Sequence, residues 1–108
     1  MDIEITGAIN WIDFKKCELF IYCFKASKKI KVNIFMGNKR LRWMSWRLRT
    51  ELLRIIAKSR EVITVKGYCY NSHTVIATEI DFSQVPGFDH FIEIANNVRK
   101  EHKSGRQD

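Results

Sequence analysis

The side chains with the plainest chemistry lie between residues 17 and 36, CELFIYCFKASKKIKVNIFM. Phe20, Tyr22 and Phe24 recur at every second position. Phe35 follows beyond a polar joint, and Lys25, Lys28, Lys29 and Lys31 stand among these rings. An aromatic ring offers a flat face on which an unpaired base stacks, worth about 1–3 kcal/mol per base. Lysines beside it neutralise phosphates without reading sequence. Rings alternating with cations therefore suit a single nucleic-acid strand. The rings equally suit burial beneath a helix or against a partner subunit, since four bare aromatics make a patch that something must cover. The lysines alone also suit a hairpin tip kept in water.

A second cluster sets Trp43 and Trp46 beside Lys39, Arg40, Arg42 and Arg47. Indoles and guanidinium groups both stack on bases, although Trp46 suits a core position as well. A third places Lys66, Tyr68 and Tyr70 before a short Asn71-Ser72-His73 turn. The charge distribution agrees with these choices. Of 19 Lys and Arg, 15 fall between residues 14 and 66 against three acids there, whereas the remainder holds four bases and nine acids. That asymmetry points to a polyanion-binding middle, the alternative being a solvated basic face.

Other chemistries find less support. His73, His90 and His102 fall in a turn, a helix and a tail, and Cys17, Cys23 and Cys69 lack zinc-ligand spacing. There is no Gly-rich phosphate loop. Glu79 and Asp81, paired by spacing only, read as a solvated strand edge rather than an acid–base pair, and a Cys69–His73 nucleophile across the last hairpin is a remote candidate. The expectation is a protein that is not an enzyme, with no catalytic residue, metal or cofactor. An odd number of cysteines behind a start without a basic, apolar leader reads as reduced intracellular thiols, in cytoplasm, nucleoid or nucleus. No apolar run approaches the roughly 20 residues that span a bilayer, so no membrane partner is expected.

These groups need elements to hold them. Residues 2–12 alternate as a strand with Ile3, Ile5, Gly7, Ile9 and Trp11 on one face, which predicts Trp11 in the core. Gly7 suggests a bulge, a sharp coil or a close backbone approach. Residues 17–36 read as a hairpin, with Leu19, Ile21, Cys23, Ile30, Val32, Ile34 and Met36 on its aliphatic side and Phe35 on the other. Leu48, Leu52, Ile55 and Ile56 give the stripe of a helix over 45–59 with Ser45 as N-cap. Strands over 61–70 and 73–81 follow. After Pro86-Gly87, the residues Phe88, Phe91, Ile92, Ala95 and Val98 predict a second helix over 88–101. Its apolar side serves either its own domain or a homo- or hetero-oligomeric partner.

Strand, strand, strand, helix, strand, strand, helix is the order of an all-β fold with helices, a five-stranded Greek-key OB-fold barrel with an extra C-terminal helix. The chain divides into an OB-fold domain at 1–83, an amphipathic helix at 84–102 and a flexible tail at 103–108.

Thr6-Gly7-Ala8-Ile9, the run from Leu19 to Phe24 with Ile30 to Phe35, and the run from Val62 to Tyr70 resemble a family pattern of "xGxI", "LYFxLxD…IxVxxF" and "VxVxGxVxxY". That pattern belongs to OB domains of the anticodon-binding type. These occur in class II aminoacyl-tRNA synthetases, in the large subunit of exonuclease VII and in replication protein A-like single-strand binders. Lys25 to Lys29 replace the acidic turn of the pattern, and WMSW and the last helix lie outside it. That last helix resembles the one with which small subunits of replication protein A and of telomere-capping trimers meet a sister subunit. The resemblance implies single-stranded nucleic-acid binding, DNA before RNA, in replication, recombination or repair. The alternative is a structural OB subunit that assembles a nucleic-acid-processing complex.

Overall fold

The computed structural model describes residues 2–59, 62–71, 73–81, 83 and 85–106, with side chains through Lys100. Expectations resting on Glu61, Ser72, the His102 side chain and residues 107–108 lie outside these. The elements are β1 (Asp2–Asp13), β2 (Glu18–Cys23), β3 (Lys28–Asn33), α1 (Trp46–Ser59), β4 (Val62–Cys69), β5 (Thr74–Asp81) and α2 (Phe88–Arg106). The strands close into a barrel in the order β1-β2-β3-β5-β4. This is the five-stranded OB-fold architecture, with one helix between β3 and β4 and one after β5.

β1 is long because it serves two neighbours. Asp2 to Ala8 pair with β4, and Gly7 to Asp13 pair with β2. Where the two pairings overlap, a Cβ on Gly7 would overlap the carbonyl oxygen of Tyr22; on β4, beside β5, a Cβ on Gly67 would overlap that of Ile76. Glycine there permits the close backbone approach that tight coiling of a small barrel requires. Closure comes from a parallel seam between β3 and β5, Lys31–Thr74, Val32–Val75 and Asn33–Ile76.

Inward alternation fills the barrel with Ile5, Ile9, Leu19, Ile21, Val32, Ile63, Val65, Val75 and Ala77. α1 closes the end where β1 finishes. Its Leu52, Leu53 and Ile56 are fully buried, and Leu48 and Ile55 pack at the margin. The Ser45 hydroxyl accepts the Leu48 N–H at 3.4 Å, capping the helix. α2 lays Phe88, Ile92 and Ala95 into the same core with Phe91 beside them, and it packs on α1. These four side chains serve their own chain and are not held open for a partner. Ile94 and Val98 remain half exposed. The helix runs on to Arg106, past the expected end near 101, through residues with no proline to stop it.

Two expectations of alternation fail. In β1 the pairing with β2 shifts between Ile9 and Trp11. This bulge at Asn10 inverts the parity, so Ile12 turns inward and Trp11 stands outside, 57% exposed. After β3, the Asn33 side-chain oxygen accepts the N–H groups of Phe35 (3.0 Å) and Met36 (2.9 Å). That turn ends the strand. Ile34 and Phe35 both enter the core, and Met36, expected inside, is 60% exposed.

Candidate nucleic-acid interface

The register of β1, β2 and β3 arranges the outward side chains in rows. One row reads Trp11–Phe20–Lys31, with the buried Thr74 of β5 beyond it, and the next Ala8–Tyr22–Lys29. The Trp11 and Phe20 ring centroids are 5.1 Å apart with the planes tilted by 43°. Tyr22 and Phe24 meet edge-on at 6.4 Å. The bulge thus delivers a ring to the face that alternation alone would have buried. Both pairs have the spacing of favourable aromatic contacts, so each ring is held by its neighbour while one side stays open to water. Phe14 adds a partly exposed ring just beyond β1.

Lysines border these rings. Lys29 lies across from Tyr22, Lys31 across from Phe20, and Lys25 and Lys28 stand at the exposed turn between β2 and β3. Lys31 approaches Glu18 at 3.9 Å, at the long end for an ion pair, with both side chains largely covered. Phe35, expected in this group, is fully buried instead, with the Arg49 guanidinium 5.0 Å above its ring. Arg49 is a clasp: it donates to the carbonyls of Met44 and Arg42, both at 2.9 Å, and so ties the 37–44 segment to α1.

The other expected groups divide. Trp46 is 63% exposed at the start of α1, with exposed Lys39, Arg42 and Arg47 in the same stretch. Trp43 is half-buried, and Arg99 of α2 lies 4.6 Å over its ring, so one indole face is taken by the chain itself. Arg40 likewise sits 5.8 Å from the Phe88 ring. Lys66 and Tyr68 point out from β4 on a different wall. There Lys66 lies between Glu4, at 3.8 Å, and Glu79, with Asp2 and Asp81 nearby in register. That wall is net acidic, and it does not bring Lys66 and Tyr68 together with the β2–β3 lysines. Tyr70 is exposed in the β4–β5 turn, where its N–H and that of Asn71 reach the Thr74 carbonyl.

Among the described residues, no three of His, Cys, Asp and Glu gather where they would hold a metal ion, and no helix is long and apolar enough to cross a membrane. Cys17 and Cys23 are buried, and Cys69 is exposed, all as free thiols. Burial pushes the Cys17 thiol up from its ordinary value, against the pull of Arg49. Hydrogen bonds from Ser83 hold the Asp81 carboxyl below its ordinary value.

Comparison with protein-family models, curated proteins and solved structures finds no match for this chain.

Proposed function

We propose that the protein binds single-stranded nucleic acid, DNA before RNA, without catalysis, and that it serves replication, recombination or repair. Its kinship on this reading lies with OB domains of the anticodon-binding and replication protein A-like type. The observation that carries the reading is the outer face of β1, β2 and β3, where Trp11–Phe20 and Tyr22–Phe24 form two ring pairs beside Lys29 and Lys31, with Lys25 and Lys28 at the adjoining end of the β2–β3 hairpin. Bases stack on the rings and phosphates meet the lysines, so binding tolerates any sequence and weakens with salt. The acidic wall of β4 and β5 turns the strand toward this one face. A gel-shift series with single-stranded DNA, single-stranded RNA and duplex, each at about 50 and 200 mM salt, tests it. Single strands should bind at low salt and dissociate at high salt. No shift with oligo-dT or oligo-U at low salt ends the reading.

A second reading, a structural subunit, rests on Ile94 and Val98, the apolar residues that α2 leaves half exposed. It predicts a dimer in light scattering that Val98→Lys disperses, together with no oligonucleotide affinity.

A further inference from the structure

The end of the barrel opposite α1 is open. Its mouth is a cavity of about 490 Å³, within the range of pockets that enclose small ligands. The floor is apolar, made by the inward side chains Ile3, Ile30 and Val75. Lys28, Lys29 and Lys31 stand along one rim. Asn71 and His73 stand along the other, where the Asn71 side-chain oxygen accepts the His73 N–H at 2.8 Å and fixes the turn. Phe20 and Lys31 belong both to this cavity and to the ring row that begins at Trp11. A strand lying along that row is led to the mouth.

We propose, resting on the nucleic-acid reading above, that the mouth takes one base of the bound strand out of the stack. The base lies on the apolar floor. Its flanking phosphates sit against Lys28, Lys29 and Lys31, and the Asn71 and His73 side chains are the polar groups within the cavity that meet its edge. Charge complementarity chooses this occupant: three ammonium groups on the rim of an apolar pit suit a flat, weakly polar ring attached to an anionic backbone. The outer rings hold bases in sequence, and the mouth fixes the register of the strand on the face.

Cys69 supplies a probe, because it lines the cavity and is exposed while Cys17 and Cys23 are buried. The rate of maleimide alkylation at Cys69 is followed by mass spectrometry on the full chain. It is measured alone, with oligo-dT, and with an abasic oligomer of equal length that keeps the phosphates but has no bases. With each oligomer at about ten times its Kd nearly all the protein is bound; a base seated in the mouth shields Cys69, so with oligo-dT only the unbound protein reacts and the rate falls about ten-fold. The abasic oligomer should leave it near that of the free protein. An unchanged rate in the presence of bound oligo-dT overturns the proposal and leaves the outer face intact as a binding surface. Equal protection by the abasic oligomer overturns it too, since phosphate coverage then explains everything. If oligo-dT does not bind at all, the cavity proposal falls together with the nucleic-acid reading. Cys69→Trp, which fills the mouth from an exposed position, should lower oligo-dT affinity about five-fold or more with the salt slope unchanged. Full affinity in that folded variant would also overturn the proposal.

Discussion

Replacing Trp11 by alanine separates a binding ring from a core ring. Trp11 is 57% exposed, so a little under half of its surface is covered, with the Phe20 ring among its neighbours. Taking a buried tryptophan as roughly 200 Å², the covered part is about 90 Å², and its loss costs at most about 2 kcal/mol of stability. A core aromatic such as Phe35, fully buried, costs about 3–5 kcal/mol on truncation to alanine. For binding the order reverses. Loss of one stacked base lowers oligo-dT affinity by about 1–3 kcal/mol, or about 5- to 150-fold. Phe35→Leu, where it folds, should bind as the wild type does. Stability is read by urea denaturation followed by circular dichroism, and affinity by fluorescence anisotropy of a labelled oligo-dT at about 50 mM salt. Two results refute the reasoning. Trp11→Ala that stays folded and binds within about two-fold of wild type removes the ring from the interface. A stability loss above about 4 kcal/mol puts the ring in the core and denies the bulge.

Other outcomes follow from the same geometry. Lys28→Ala with Lys29→Ala should reduce the slope of log K against log salt by about 1.4, at about 0.7 per phosphate contact on a single strand; anisotropy titrations at several salt concentrations read it, whereas Lys66→Ala, on the acidic wall, should leave the slope unchanged. Gly67→Ala should destabilise by about 1–3 kcal/mol or prevent folding, because its methyl meets the Ile76 backbone and neither strand has room to yield; a urea midpoint equal to wild type would contradict the close approach. The Cys17 thiol has its folded-state pKa raised by burial, so folding favours the neutral form. That contribution is complete below the ordinary thiol value of 9.0 and is lost as pH climbs through the raised value. Wild type should therefore lose stability faster than Cys17→Ala in urea titrations as the pH is raised above 9.0, and parallel curves would show that the thiol is not desolvated.

The barrel and its element order were readable because period-2 and period-3.6 patterns report which side of an element meets a core, and most of this chain obeys them. The Leu19–Ile21–Cys23 alternation and the Leu52–Ile56 stripe carry through unchanged. The failures are local backbone events that shift parity by one. Asn10 is a bulge with no marker of its own. Gly7, which does carry a marker, shows a close backbone contact instead. Asn33 reads as one more residue of the strand alternation, and its acceptance of two N–H groups decides that Phe35 goes in and Met36 out. Neither Lys66 nor Trp43 could be judged from its neighbours in sequence. What surrounds Lys66 is Glu4 and Glu79 across two strand pairings, and what covers Trp43 is Arg99 from the last helix. The mouth cavity, drawn from all five strands and one turn, has no linear signature at all.

The β3–β5 seam has a kinetic meaning. It joins residues as far apart in the chain as Lys31 and Thr74, through a short parallel ladder, the pairing type that is slightly less stable per residue. The entropy of closing that long loop makes the seam a late event in folding, and its few bonds make it the first place for the closed wall to breathe. Amide exchange should be fastest along Lys31–Asn33 and Thr74–Ile76 among the strand interiors. The mouth is lined by Lys31 from one side of this seam and by Thr74 and Val75 from the other. Any molecule held there bridges the two strands and ties its own residence to the closed wall. Occupancy of the mouth and closure of the barrel are then a single equilibrium, and the melting temperature reports both.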